Sequence, residues 1–131
     1  MTQSDTPSVG DIDGLVALAQ TYFDAAYEMD ADKFASIFHG SSSVTRRDDD
    51  TSVVVTPIAA WLDAVRGLTS PREVGGARAD QILSIAMTGN IALLKLRLRI
   101  PPREVTDLLS CCFVNGRWQI AQKVFTAQPL G

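Results

Sequence analysis

Apolar residues recur every three or four positions in three stretches of the chain and alternate singly through most of the rest. In "DIDGLVALAQTYFDAAYEM", Ile12, Leu15, Val16, Ala19, Phe23 and Ala26 fall on one helical stripe, flanked by Tyr22 and Tyr27, and Asp11 is placed to cap the start. Asp30 caps a second, shorter helix, "ADKFASIFH", with Phe34, Ile37 and Phe38 inward and Gly40 just past its end. "TPIAAWLDAVRG" predicts a third: Thr56 caps, Pro57 takes the first helical position, Gly67 closes, and Ile58, Trp61, Leu62 and Val65 are buried.

The period elsewhere is two. "SSSVTRRDDDTSVVV" reads as two short strands around an acidic turn, in which Arg46 and Arg47 are neutralised by their Asp neighbours. "ARADQILSIAM" and "IALLKLRLRI" are strands joined at Thr88-Gly89-Asn90, and Ala92, Leu94, Leu96, Leu98 and Ile100 share the buried face of the second. Pro101-Pro102 turns the chain, because two prolines cannot continue a central strand. "VTDLLSCCFV" and "RWQIAQKVF" then form a hairpin about Asn115-Gly116, a dipeptide suited to a type I′ turn.

A regular two-residue loop sets the hairpin register. Phe113 faces Trp118, Cys111 faces Ile120, Leu109 faces Gln122 and Asp107 faces Val124, and these pairs make the richer apolar face, directed at the helices. The opposite face carries Leu108, Cys112, Val114 and Phe125 beside Arg117, Gln119, Ala121 and Lys123. That is more apolar area than a wet surface needs, so it is expected to pack on a second copy of the chain. The sum is an α+β fold, helices on one side of a curved antiparallel meander.

Composition adds limits. The chain has 131 residues with 46% hydrophobic and 21% charged, which supports one domain with its own core. The expected division is a flexible leader over 1–10, a domain over 11–127 and a tail over 128–131. No apolar run reaches the length of a membrane span, the opening lacks a secretory signal, and a cytoplasmic location is the expectation. A net charge of −3 gives no reason to expect nucleic acid. All charged side chains up to Asp32 are acidic, which predicts a solvated acidic helix face over a more basic sheet. Cys111 and Cys112 are strand neighbours pointing to opposite faces, so neither a disulfide nor a metal pattern results, and no cofactor or metal is expected.

Few residues offer chemistry. Asp107 projects from the core-facing side, where an unpaired carboxylate would cost several kcal/mol and must meet a cation, water, a ligand or a proton. His39, the single histidine, is either an acid–base group or a helix C-terminal cap. Trp61 and Trp118 are either core or the walls of an aromatic pocket.

"TYFDAAYEMDADKFASIFH", "VTPIAAWLDAV", "ILSIAMTGNIALLKL" and "TDLLSCCFVNGRWQIAQKVF" follow in an order and spacing that resembles the nuclear transport factor 2-like superfamily, and within it the lumazine-binding, SnoaL-like group. The resemblance runs from about Asp11 to Phe125. It implies a cone-like α+β barrel of the cystatin-like kind, a bent sheet wrapped round helices with a pocket between them, and dimers formed through the sheet. It also sets Tyr22 where ketosteroid-isomerase-like members carry an oxyanion donor. Their general base, however, would fall at about Arg46, which cannot serve at neutral pH.

Three functions follow as expectations. The first is a binding protein for a small hydrophobic or aromatic molecule, with Tyr22, Trp61, Asp107 and Trp118 at the pocket. The second is a cofactor-independent isomerase, cyclase or dehydratase using Asp107 or His39 as acid–base and Tyr22 as donor. The third is a dimeric interaction module working through Leu108, Cys112, Val114 and Phe125.

Overall fold

A computed structural model of the chain describes residues 10–130. The expected leader, apart from Gly10, and Gly131 of the expected tail lie outside the described residues. The elements in order are α1 (Ile12–Glu28), α2 (Ala31–Ala35), β1 (Phe38–Asp49), β2 (Ser52–Pro57), α3 (Ile58–Arg66), β3 (Gln81–Thr88), β4 (Ile91–Ile100), β5 (Arg103–Val114) and β6 (Arg117–Pro129). The six strands form one sheet in the order β2-β1-β6-β5-β4-β3, and the helices pack on one face of it. The fold is α+β, and the strand reaches into the stretch read as a tail.

Several local signals act as expected. The Asp11 carboxylate accepts from the Gly14 N–H at 2.8 Å and caps α1, and Asp30 accepts from the Lys33 N–H at 3.1 Å and caps α2. Asn115 and Gly116 have φ of 54° and 76°, the two positive values a type I′ hairpin turn requires. On β4, Ala92, Leu94, Leu96 and Leu98 are buried and Ile100 packs against the core.

Other expectations are corrected. The second helix stops at Ala35, so Ile37 precedes the sheet and Phe38, His39 and Gly40 belong to β1. Pro57 takes the cap position of α3 with no side-chain hydrogen bond, and Thr56 pairs with Val44 in the β1–β2 ladder instead. The buried stripe of α1 is rotated: Leu18 and Tyr22 are inside and Ile12 is exposed. The acidic face of the first helices meets arginines that lie outside the sheet. Asp32 pairs with Arg66 of α3 at 3.0 Å, and Glu28 and Asp24 pair with Arg72 and Arg78 at 3.1 and 3.0 Å.

Two departures set up the site. The meander is not wholly antiparallel, because β1 lies parallel to β6, a pairing that joins the two ends of the domain. And the β5–β6 hairpin keeps its expected register only from the turn to Cys111↔Ile120. There β6 carries one extra residue, Ala121, and the pairing resumes as Ser110↔Gln122, Leu109↔Lys123 and Asp107↔Phe125. A bulge of this kind reverses the facing of every residue beyond it. Lys123 and Phe125 therefore point toward the helices, and Gln122 and Val124 away from them. Phe125 is not part of the outer face with Leu108, Cys112 and Val114.

Candidate functional site

A cavity of about 200 Å³ opens between α1, α2, α3 and the ends of β4, β5 and β6. Tyr22, Phe34 and Trp61 of the helices line one side, and Val105, Lys123, Phe125 and Ala127 the other, with Arg103 and Ile100 also in the wall. The rings brace one another: Phe34 meets Tyr22 edge-on at 5.2 Å between centroids and Trp61 at 5.0 Å.

Behind this wall is a buried polar relay. The Tyr22 hydroxyl donates to Asp107 Oδ2 at 2.8 Å. Lys123 Nζ stands 3.8 Å from Asp107 Oδ1, which is an ion pair but too long for a hydrogen bond. Oδ1 is buried and has no hydrogen-bond partner among the described residues. The ammonium is also ringed by aromatic faces, with Nζ 4.3 Å from the Trp61 centroid, 5.0 Å from Phe125 and 5.3 Å from Tyr22.

Burial sets the electrostatics. Asp107 is 1% exposed and Lys123 6%. Loss of water pushes the Asp107 carboxyl up, against the opposing pull of Lys123 and the Tyr22 hydrogen bond. The same loss pushes Lys123 down, against the attraction of Asp107. Burial, reinforced by the Asp107 charge, holds the Tyr22 phenol well above its ordinary value, so it remains a donor. Burial thus draws both members of the pair toward their neutral forms, while their mutual attraction favours the charged ones.

The expected site residues divide. Tyr22 and Trp61 are in the cavity wall. Asp107 is not in the lining but contacts two residues that are, Tyr22 and Lys123. Trp118 is elsewhere: it stacks edge-on with Phe113 at 5.4 Å, and its indole N–H donates to the Asp11 carbonyl at 3.1 Å, tying the start of α1 to the hairpin. A Cβ on Gly10 would fall 2.1 Å from Trp118 Nε1, so a glycine lets the backbone at this position lie against the ring. His39 lies in β1, not at a helix end, and outside the cavity lining. Its Nδ1 accepts from the Ser41 N–H at 3.1 Å and lies 2.7 Å from the Ser41 hydroxyl, a contact local to the start of β1. Arg46 pairs with Asp48 at 3.5 Å on the surface.

Lys123 and Phe125 are the site residues that strand alternation misplaced, and Phe34 and Arg103 join them in the cavity wall. A signal was there: Trp118 and Ile120 are in one phase of β6, Phe125 and Ala127 in the other, and a phase change within a strand marks a bulge. Val124 masked it by extending the first phase.

Among the described residues no group of three or more His, Cys, Asp or Glu is placed to hold a metal ion, and no helix is long and apolar enough to cross a membrane. The two cysteines are free thiols, Cys111 buried and Cys112 half-buried.

Comparison with solved structures places the fold. A nuclear transport factor 2-like protein of unknown function from Shewanella baltica OS155 superimposes with a TM-score of 0.79 at 19% identity, covering 90% of this chain and 94% of that one. Another from Silicibacter pomeroyi DSS-3 gives 0.73 at 23% identity, covering 98% and 100%. A ketosteroid isomerase-like protein from Erwinia carotovora atroseptica SCRI1043 gives 0.69 at 13% identity, covering 91% and 97%. At these identities the likeness establishes the fold, a nuclear transport factor 2-like curved sheet around helices, and leaves function open. No curated protein matches the sequence. The family model described as "Putative lumazine-binding" matches residues 10–126, almost all of the described chain, and the protein belongs to that family within the nuclear transport factor 2-like superfamily.

Proposed function

We propose that this protein binds a small aromatic or apolar molecule in the cavity between the helices and β4–β6, with an acceptor oxygen of the ligand directed at Lys123. The observation that carries this is the cavity wall itself. It is built mostly of rings and aliphatic groups, with the Lys123 ammonium placed among Tyr22, Trp61 and Phe125 and Arg103 as a second cationic side chain in the wall. Apolar walls supply the affinity and one well-placed polar group the orientation. The family description supports a flat heterocyclic ligand, and lumazine is therefore one probe.

Native mass spectrometry of gently purified protein, followed by denaturing mass analysis, tests for a retained ligand. Thermal shift with lumazine and with benzoate tests for an added one. Trp61→Ala removes the ring nearest Nζ and is expected to abolish ligand-dependent stabilisation while the fold persists. Unchanged stabilisation in that variant would count against this cavity.

A second reading is a cofactor-independent isomerase, cyclase or dehydratase. It is supported by the Tyr22–Asp107 hydrogen bond and the raised carboxyl, with Lys123 as the group that would face the substrate. We also propose a homodimer through the outer sheet face, where Leu108 pairs with Val124 and where Leu93, opposite Ser110, and Ile91, opposite Cys112, are exposed as well. Cys112 and Val114 continue that face. Light scattering coupled to size exclusion tests it, and a Leu108→Asp variant is expected to be monomeric.

A further inference from the structure

An ammonium needs water or anions around it, and Lys123 has one carboxylate and three rings. Its partner is poorly engaged, since Asp107 Oδ1 is 3.8 Å away and makes no hydrogen bond, while Oδ2 is held by Tyr22. One carboxylate oxygen is thus fixed and the other is free to take a proton. Lys123 also lines the cavity, together with the three rings that surround its nitrogen.

Resting on the ligand-binding reading of the cavity, we propose that Lys123 Nζ condenses with a small aldehyde or ketone held there, forming a protonated imine that faces Asp107. The balance closes without a co-reactant. Once the two side chains close from 3.8 Å to hydrogen-bond distance, the ammonium passes one proton to Asp107 Oδ1, and the freed nitrogen pair attacks the carbonyl carbon while the C=O π pair moves to oxygen. That oxygen takes up the proton from Asp107. A second nitrogen proton, carried by the same carboxyl, converts the hydroxyl to water as it leaves and the nitrogen pair closes C=N. An ammonium and a carbonyl compound thus give an iminium and water, and the product, like the starting pair, sets a positive charge beside the Asp107 carboxylate. Desolvation of a lysine in an apolar pocket is a general means of making its amine nucleophilic, and here burial depresses the Lys123 ammonium.

The chain has only three lysines, and Lys33 and Lys95 are exposed. The full-length protein is incubated at neutral pH with benzaldehyde and sodium cyanoborohydride, and benzylated peptides are mapped over time. Lys123 is expected to be benzylated faster than Lys33 or Lys95, because depression of its ammonium by burial raises its free-amine fraction. Benzyl alcohol, which fits the same space but cannot form an imine, is expected to slow the reaction. Lys123→Arg should lose the fast adduct. A Lys33→Arg, Lys95→Arg double variant, which leaves the cavity intact, should keep it. Equal labelling of the three lysines, or an inert Lys123, overturns the proposal. A parallel thermal shift with benzyl alcohol separates the failures: stabilisation without a Lys123 adduct removes the imine and keeps the binding cavity, and no stabilisation with no adduct removes both.

Discussion

Replacing Lys123 by Met keeps an unbranched apolar stem of similar length and deletes the charge. The Nζ–Oδ1 separation of 3.8 Å corresponds to ~4 kcal/mol of attraction at an effective dielectric constant of about 20. Breaking a buried pair on one side typically costs about 3–5 kcal/mol, because the remaining charge is stranded. Asp107 has a way out: it can bind a proton. Doing so at pH 7, starting from an ordinary carboxyl value near 3.9, costs ~4 kcal/mol, and at pH 5 only ~1.5 kcal/mol.

The sign of the pH dependence follows. In Lys123→Met the folded-state value of Asp107 lies further above its unfolded one than in the parent. Between those values the folded protein holds the extra proton, so stability falls as pH rises through that window. The deficit relative to the parent is therefore expected to be about 3–5 kcal/mol at pH 7 and to shrink toward about 1.5 kcal/mol at pH 5. Urea unfolding followed by tryptophan fluorescence at the two pH values measures it, with the parent protein as the control for every other titrating group. A deficit below about 1 kcal/mol at pH 7, or one that does not change between the two pH values, would refute the reasoning, since Asp107 would then be hydrated and not dependent on Lys123. Removing both charges, as Asp107→Leu with Lys123→Met, should recover most of the loss.

Tyr22→Phe deletes the hydroxyl that donates to Asp107 Oδ2 and is expected to cost about 1–3 kcal/mol in the same unfolding assay while the ring packing with Phe34 survives. Deleting Ala121 removes the bulge residue but leaves Ile120 facing in, Gln122 out and Lys123 in, so the variant should fold and retain the cavity. Loss of ligand-dependent stabilisation in that deletion would show that the bulge shapes the cavity and does more than re-aim Lys123. The Cys111 thiol, pushed up to about 12 by burial and by its neighbour Cys112, should resist iodoacetamide at pH 8 until urea unfolds the chain, as peptide mapping will show.

Much of the architecture is legible in short stretches of sequence, because local geometry is decided by local chemistry. The helix starts at Asp11 and Asp30, the Asn115-Gly116 turn, the Pro101-Pro102 break and the alternating face of β4 all depend on residues within a few positions of one another. Asp107 could be recognised as a carboxylate in need of a partner for the same reason. Its partner could not. Strand alternation places Lys123 on the outer face, and only the extra residue at Ala121, accommodated where β6 is gripped by β5 on one side and by the parallel β1 on the other, turns it inward. The parallel β1–β6 pairing joins segments about eighty residues apart, and no periodicity within either strand encodes it. Tyr22, on a helix 85 positions before Asp107, completes the relay for the same reason. Sequence by itself determined which segments are helix and strand and that one acid would be buried. Tertiary structure alone decided what that acid meets, because a one-residue bulge reverses side-chain facing at almost no cost to the local pattern that sequence displays.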